Sequence, residues 1–232
     1  MKTFALPTPP QKMNNRRNFL KLAGLGGVSS LLTFSAAQAL DQCDFRPTPK
    51  QPLGPFYPRQ FPIDSDTDLT RVANSTQLAT GQRVIVTGTV TDEFCRPVAG
   101  AIVEIWQACE SGKYNHPSDT TTTPLDPHFQ YYGMMKTNEK GEYSFKTIKP
   151  GAYLASENWR RPPHIHYKVN LRGYREVVTQ LYFEGERLNQ NDLIILDLAP
   201  ADRKKLVIKF EKTTVAGEEV LKGQFDLTLI KR

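Results

Sequence analysis

The sequence predicts an all-β fold: a single β-sandwich with long loops and little helix. Three observations carry this. Short runs of β-branched and aromatic residues recur from residue 83 onward, some with period-two alternation. Turn-forming clusters such as Asn138-Glu139-Lys140-Gly141 and Lys149-Pro150-Gly151 separate them. No stretch carries a long apolar repeat of helical period. The 232 residues, 39% hydrophobic and 23% charged, suffice for one good core and rule out disorder for most of the chain.

The elements follow in order. Asn15-Arg16-Arg17-Asn18-Phe19-Leu20-Lys21 resembles a twin-arginine export motif; a small and apolar run, Leu22 to Phe34, and a small-residue cleavage site, Ala37-Gln38-Ala39, come after it. Residues 1–39 are therefore read as a twin-arginine signal peptide. The mature chain then starts near Leu40, in the periplasm or secreted, with no stable membrane anchor once the leader is cleaved. An uncleaved N-terminal anchor is the alternative, although the apolar run is short and glycine-rich for a span. The formal charge of +6 belongs to this leader, which holds five basic residues and no acid. The remainder has 25 basic against 24 acidic residues, so a nucleic-acid partner loses its electrostatic support.

Residues 40–80 form a proline-rich arm, with Pro47, Pro49, Pro52, Pro55, Pro58 and Pro62 excluding a helix. Residues 81–232 make the sandwich. Strands are predicted from Arg83 through Val90, then at Ala101–Gln107, Glu142–Lys146, Ile165–Leu171, Glu176–Phe183, Leu206–Glu211 and Gln224–Ile230. One short helix is predicted after Pro200, a residue suited to a first helical position. The segments around Gly88–Asp92, Pro97–Ala101, Val103–Trp106 and Thr137–Tyr143 resemble carboxypeptidase-regulatory-like and transthyretin/prealbumin-like modules, many of which bind without catalysing.

Chemistry concentrates in Arg160-Arg161-Pro162-Pro163-His164-Ile165-His166. On a strand, residues i and i+2 share a face, so His164 and His166 present two imidazoles side by side. Such a pair is half a metal site, or else two surface or core histidines. No Cys-X-X-Cys or His-Glu-X-X-His is present to complete it; what stands out is tyrosine, Tyr114 in Gly112-Lys113-Tyr114 and Tyr153 in Pro150-Gly151-Ala152-Tyr153. A phenolate is a hard anionic donor, and two phenolates with two imidazoles suit Fe(III), although each tyrosine alone suits core packing. A copper or zinc binder using His164, His166 and His116 is a further reading.

The conjunction resembles the intradiol ring-cleavage dioxygenases of the protocatechuate 3,4-dioxygenase type. The matching motifs are Gly54-Pro55-Phe56-Tyr57, Val103-Glu104-Ile105-Trp106-Gln107-Ala108, Gly112-Lys113-Tyr114, Pro124–Phe129, Thr147–Tyr153, Arg161–His166 and Gln180–Gly185. They run in family order from about residue 45 to 190. The resemblance implies a non-haem Fe(III) held by Tyr114, Tyr153, His164 and His166, with Tyr153 as the axial ligand that substrate displaces. It implies that Arg161 stabilises negative charge on the substrate ring, that Gln180 lines the same pocket, and that Gly54 and Pro55 form one wall. The implied partners are a small aromatic diol and O2, the diol being cut between its two hydroxylated carbons to a cis,cis-muconate-type diacid. A homo-oligomer is compatible. Leu53 and Ala155 depart from the family pattern at pocket positions, so the particular catechol stays open. Exported members also have cysteines near Cys43 and Cys95, which implies a bridge between them. Three free thiols are the alternative.

Overall fold

The structure, a computed structural model, describes residues 46–62, 64–73 and 75–232. The leader and Cys43 lie outside the described residues, and Asp44–Arg232 forms one compact unit.

β1 (Arg83–Asp92) alternates strictly between half-buried and buried positions, as its period-two pattern requires. It is the centre of the first five-stranded sheet. It pairs antiparallel with β4 (Glu142–Ile148), and parallel with β11 (Glu218–Gln224) and β12 (Leu227–Leu229). β10 (Glu211–Val215) extends this sheet beyond β11. The second sheet runs β3-β2-β7-β8-β9, from Tyr132–Lys136, Ile102–Trp106, His164–Asn170, Val177–Phe183 and Val207–Ile208. A small hairpin joins β5 (Tyr153–Ser156) to β6 (Trp159–Arg161). α1 (Leu193–Leu196) and α2 (Pro200–Leu206) are short.

The two sheets share one core. Val84, Val86 and Phe145 from the first meet Val103, Ile105, Ile165, Tyr167 and Leu181 from the second. Alternation then sends the neighbours of those second-sheet residues to the opposite face. Glu104, Trp106, His164, His166, Gln180 and Tyr182 therefore stand together on the face turned away from the sandwich core. They are buried all the same, because loops and the arm cover them.

Among the described residues the arm has no helix and lies on its own chain. Its prolines lack donors, and the residues between them supply the bonds. The Thr48 amide donates to Thr228 O (3.2 Å) and the Gln51 amide to Val178 O (2.8 Å). This course carries Gly54 over His166.

The structure differs from the sequence reading in several places. β3 was not predicted: Tyr132-Gly133-Met134-Met135-Lys136 has little β-branching and becomes a strand by pairing along β2. The β5–β6 and β10–β11 hairpins are likewise set by pairing rather than by propensity. The strand expected at Leu206–Glu211 is cut to Val207–Ile208, because α2 begins at Pro200 and keeps Leu206. The run Gln224–Ile230 is broken between β11 and β12, where Phe225 turns into the core. Cys95 takes part in a disulfide and Cys109 is a buried free thiol, so the reading with three free thiols is wrong.

Candidate active site

Two imidazoles come first. Pairing places Trp106 opposite His166 on one side and Gln180 opposite it on the other, while His164 faces Tyr182. The His164 and His166 rings lie 4.9 Å apart between centroids. His164 Nδ1 is 2.7 Å from the Pro162 carbonyl. A carbonyl only accepts, so Nδ1 carries the proton and Nε2 keeps a lone pair. That lone pair faces the Tyr114 hydroxyl at 3.4 Å. His166 stacks on Trp106 (4.8 Å, 9°), and its Nδ1 is buried without a partner among the described residues.

The two tyrosines arrive from loop and hairpin. Tyr114 follows β2, and its amide donates to Asp119 Oδ2 at 2.7 Å, which pins the loop. Lys113 Nζ reaches the same carboxylate at 3.2 Å. Tyr153 opens β5 two residues after Gly151, whose amide donates to Cys109 O (3.0 Å). A Cβ on Gly151 would stand 2.2 Å from Glu110 O and 2.5 Å from Gly112 N. Only glycine lets the two tyrosine-bearing segments touch there. The Tyr114 and Tyr153 rings meet edge to face at 5.4 Å, and Tyr153 lies 5.7 Å from the His164 ring. Gly54 (φ +78°) sits in the left-handed region, and a Cβ on it would come within 3.2 Å of His166 Cε1. Pro55 beside it is exposed.

Burial and the Arg161 charge set the electrostatics of the site. Burial pushes the Tyr114 phenol well above its usual range, with Tyr153 adding to the rise and Arg161 opposing it. Burial also raises Tyr153, against the pull of Arg161. Burial, then Arg161, holds both His164 and His166 well below their usual range. The donor set is thus two phenols and two uncharged imidazoles. A hard trivalent cation fits it, since such an ion displaces phenolic protons and takes up imidazole lone pairs. His116 does not join the pair; it packs against Phe56, and no three His, Cys, Asp or Glu side chains gather at one point among the described residues.

Arg161 lies across the hairpin from Tyr153 and is 3% exposed. Its Nε donates to Asp192 Oδ2 (2.7 Å), and its Nη2 donates to Gln180 Oε1 (2.8 Å) and Tyr182 Oη (3.0 Å). Burial works against its charge, but Tyr182 and Asp192 prevail and hold it above its usual value. Gln180 also donates from Nε2 to Pro52 O (3.3 Å), so both ends of its amide are engaged and it ties Arg161 to the arm. Sequence reasoning missed Asp192, which is fully buried and also caps α1 by accepting from the Ile194 and Ile195 amides. Asp before the apolar run Leu193–Leu196 is a capping signal; nothing local announces the bond to Arg161.

Comparison with known proteins gives the family. A family model described as "Dioxygenase" matches residues 53–231. The protocatechuate 3,4-dioxygenase beta chain of Burkholderia cepacia is 40% identical over 172 residues, covering 72% of this chain and 72% of that one. A chlorocatechol 1,2-dioxygenase of Rhodococcus opacus is 28% identical over 180 residues; the match spans 71% of this chain and 65% of that relative. Among solved structures, 3-chlorocatechol 1,2-dioxygenase from Rhodococcus opacus 1CP shares the fold (TM-score 0.64, 22% identity, 84% of this chain and 77% of that one). The dioxygenase domain of a carbohydrate-binding fusion protein from Streptomyces sp. SirexAA-E aligns over its whole length and 81% of this chain (TM-score 0.59, 29% identity). On the extent of the family match and the identity to the Burkholderia chain, this protein belongs to the intradiol ring-cleavage dioxygenases.

Proposed function

We propose that the chain is a non-haem Fe(III) enzyme that cleaves a catechol-type, protocatechuate-like diol with O2 between its hydroxylated carbons, giving a cis,cis-muconate-type diacid. One observation carries the reading: Tyr114, Tyr153, His164 and His166 converge beside a buried arginine. The ferric ion would be held by those four side chains and would supply a Lewis-acid centre for the two oxygens of the diol.

The residues divide the remaining work. Tyr114 is buried and its loop is pinned by Asp119, so it stays in place. Tyr153 is half-buried on a four-residue edge strand, so it is the tyrosine free to swing out, and its phenolate oxygen can accept a proton from the entering diol. Arg161 is locked by Asp192, Gln180 and Tyr182, and its fixed positive charge stabilises negative charge building on the ring. The arm, with Gly54 over His166, excludes water from that side. The Cys95 disulfide accords with export by the twin-arginine leader into an oxidising compartment.

The test is the visible spectrum of the iron-loaded protein. Tyrosinate on Fe(III) gives a broad charge-transfer band, expected to shift on anaerobic addition of protocatechuate or catechol. Iron bound without colour would sink the ligand assignment; a band that neither diol shifts would sink the substrate class.

A further inference from the structure

Two cross-strand pairs lie side by side on the outer face of the second sheet. Glu104 on β2 stands opposite Lys168 on β7, and two residues further along β2 Trp106 stands opposite His166. Tyr57, from the arm, lies across both pairs. Its hydroxyl donates to Glu104 Oε2 (2.7 Å) and accepts from Lys168 Nζ (3.0 Å). Its ring meets the Trp106 indole edge to face, at 4.9 Å and 78°. Trp106 in turn stacks flat on the His166 imidazole.

His166 needs such support more than His164 does. A histidine that holds a metal is commonly oriented by a hydrogen bond from its second ring nitrogen. His164 has that bond, from Nδ1 to the Pro162 carbonyl. His166 does not: its Nδ1 has no partner among the described residues. Packing bounds the ring instead, with Trp106 on its face and Gly54 close to its Cε1 edge. Trp106 is no better tied, because its Nε1–H is also unpaired among the described residues. Both walls lead back to Tyr57, which abuts Trp106 and stands three residues from Gly54 on the arm. Tyr57 itself lies outside any strand, so its hydroxyl bonds are what fix its ring.

We propose that Tyr57 is a positioning residue for His166. Its bonded hydroxyl holds its ring against Trp106 and keeps Gly54 over the imidazole, so His166 holds one orientation without a hydrogen bond of its own. Glu104 and Lys168 act through Tyr57. That this orientation serves an iron rests on the function proposed above. Tyr132 supplies the comparison: its hydroxyl donates to the same Glu104 oxygen (2.9 Å). Its place on β3, however, is set by pairing along β2, so its ring stays put without the hydroxyl.

The experiment is NMR of the full chain, iron-free and labelled with nitrogen-15 at histidine, with the His166 signals assigned by their loss in His166→Gln. Stacking on an indole moves imidazole protons upfield, so the wild-type His166 ring protons should be displaced. Tyr57→Leu, which loses ring and hydroxyl, should return them toward ordinary values. Tyr57→Phe, which loses the hydroxyl alone, should move them the same way by less. Tyr132→Phe should lower the Tm much as Tyr57→Phe does, since each loses one bond to Glu104, and should leave the His166 signals in place. In the iron-loaded protein, loss of iron to a chelator should be about tenfold faster in Tyr57→Leu, the low end of what losing a ligand's support costs, and unchanged in Tyr132→Phe. His166 signals that neither Tyr57 variant moves would overturn the proposal. So would signals that Tyr132→Phe moves as far as Tyr57→Phe, because general loss of stability would then be the cause. If the Tyr57 variants move the signals while the wild-type protein takes up no iron, the positioning role holds and the function proposed above fails.

Discussion

Asp192 joins two structures that have no sequence proximity, so replacing it should cost twice. Its carboxylate, with no exposed surface, takes Arg161 Nε at 2.7 Å and Nη2 at 3.3 Å, and Oδ1 accepts the Ile194 and Ile195 amides at 3.1 and 3.0 Å. Asp192→Ala leaves the Arg161 guanidinium buried with only the neutral acceptors Gln180 and Tyr182. Removing one partner of a buried ion pair costs about 3–5 kcal/mol. The two remaining acceptors put this case near the lower end, and the lost cap adds about 1 kcal/mol. The expected total is about 4 kcal/mol, or a Tm lowered by about 8–16 °C for a chain of this size. Asp192→Asn keeps one acceptor oxygen, enough for the cap and Arg161 Nη2, while it turns an NH2 toward Arg161 Nε and removes the charge. It should fall between wild type and Asp192→Ala, at about 2–3 kcal/mol. Urea denaturation followed by tryptophan fluorescence gives the free energies, and circular dichroism gives the Tm values. If Asp192→Ala melts within about 2 °C of wild type, the buried pair is not what holds Arg161. On the proposed function, Asp192→Asn should also lower kcat more than it raises KM, because it loosens the group that meets developing charge.

Tyr114→Phe and Tyr153→Phe should each shift the visible band of the iron-loaded protein and remove part of its intensity, and the double variant should lose it; absorption spectra read this. Arg161→Ala should keep iron and colour while turnover falls by about 10²–10³-fold, the effect of removing one charge-stabilising group; oxygen uptake measures this. Gly151→Ala drives a methyl into Glu110 O and should cost about 1–3 kcal/mol and weaken iron retention, read by Tm and metal analysis. Acid should destabilise the fold through Asp119. Burial raises this carboxyl, but bonds from Thr121, the Tyr114 and Thr121 amides and Lys113 outweigh burial and hold it below 3.8. A depressed folded value means that the unfolded chain binds more protons in acid. The stabilisation is therefore complete above about pH 4 and is lost as pH falls through the lower folded value. Asp92, lowered in the same way by Arg96 and backbone amides against its burial, adds the same sign. Urea midpoints from pH 6 to 2.5 should slope downward, and Asp119→Asn should flatten the slope.

What was legible in the sequence was what depends on neighbours along the chain. The alternation of Val84, Val86 and Val90 marks β1, and the i, i+2 spacing of His164 and His166 places both rings on one face before any fold is known. What was not legible depends on contacts across the fold. β3 is a strand because β2 pairs with it, not because Gly133 or Met134 favours one. Asp192 reaches Arg161 from 31 positions away. The arm's route over His166 rests on amides bonding to β8 and β12, and a run of prolines tells of extension but not of direction.

The same period-two rule that builds the core also separates it from the chemistry. On β7, Ile165, Tyr167 and Val169 enter the inter-sheet core, while His164 and His166 turn away from it. On β2, Val103 and Ile105 take the core side and Glu104 and Trp106 the other. The inter-sheet core and the candidate site thus occupy opposite faces of the same strands. Glu104 demonstrates what the outer face demands: it is 5% exposed and accepts from Tyr57 Oη (2.7 Å) and Tyr132 Oη (2.9 Å), with Lys168 Nζ 3.6 Å away. A carboxylate in that position is tolerated only because donors from the arm, β3 and β7 converge on it. The arm residue Tyr57 is one of those donors, so the segment that covers the donor centre is itself held by the sheet it covers. The wall beside His166 and the strands that anchor it thus come from one chain.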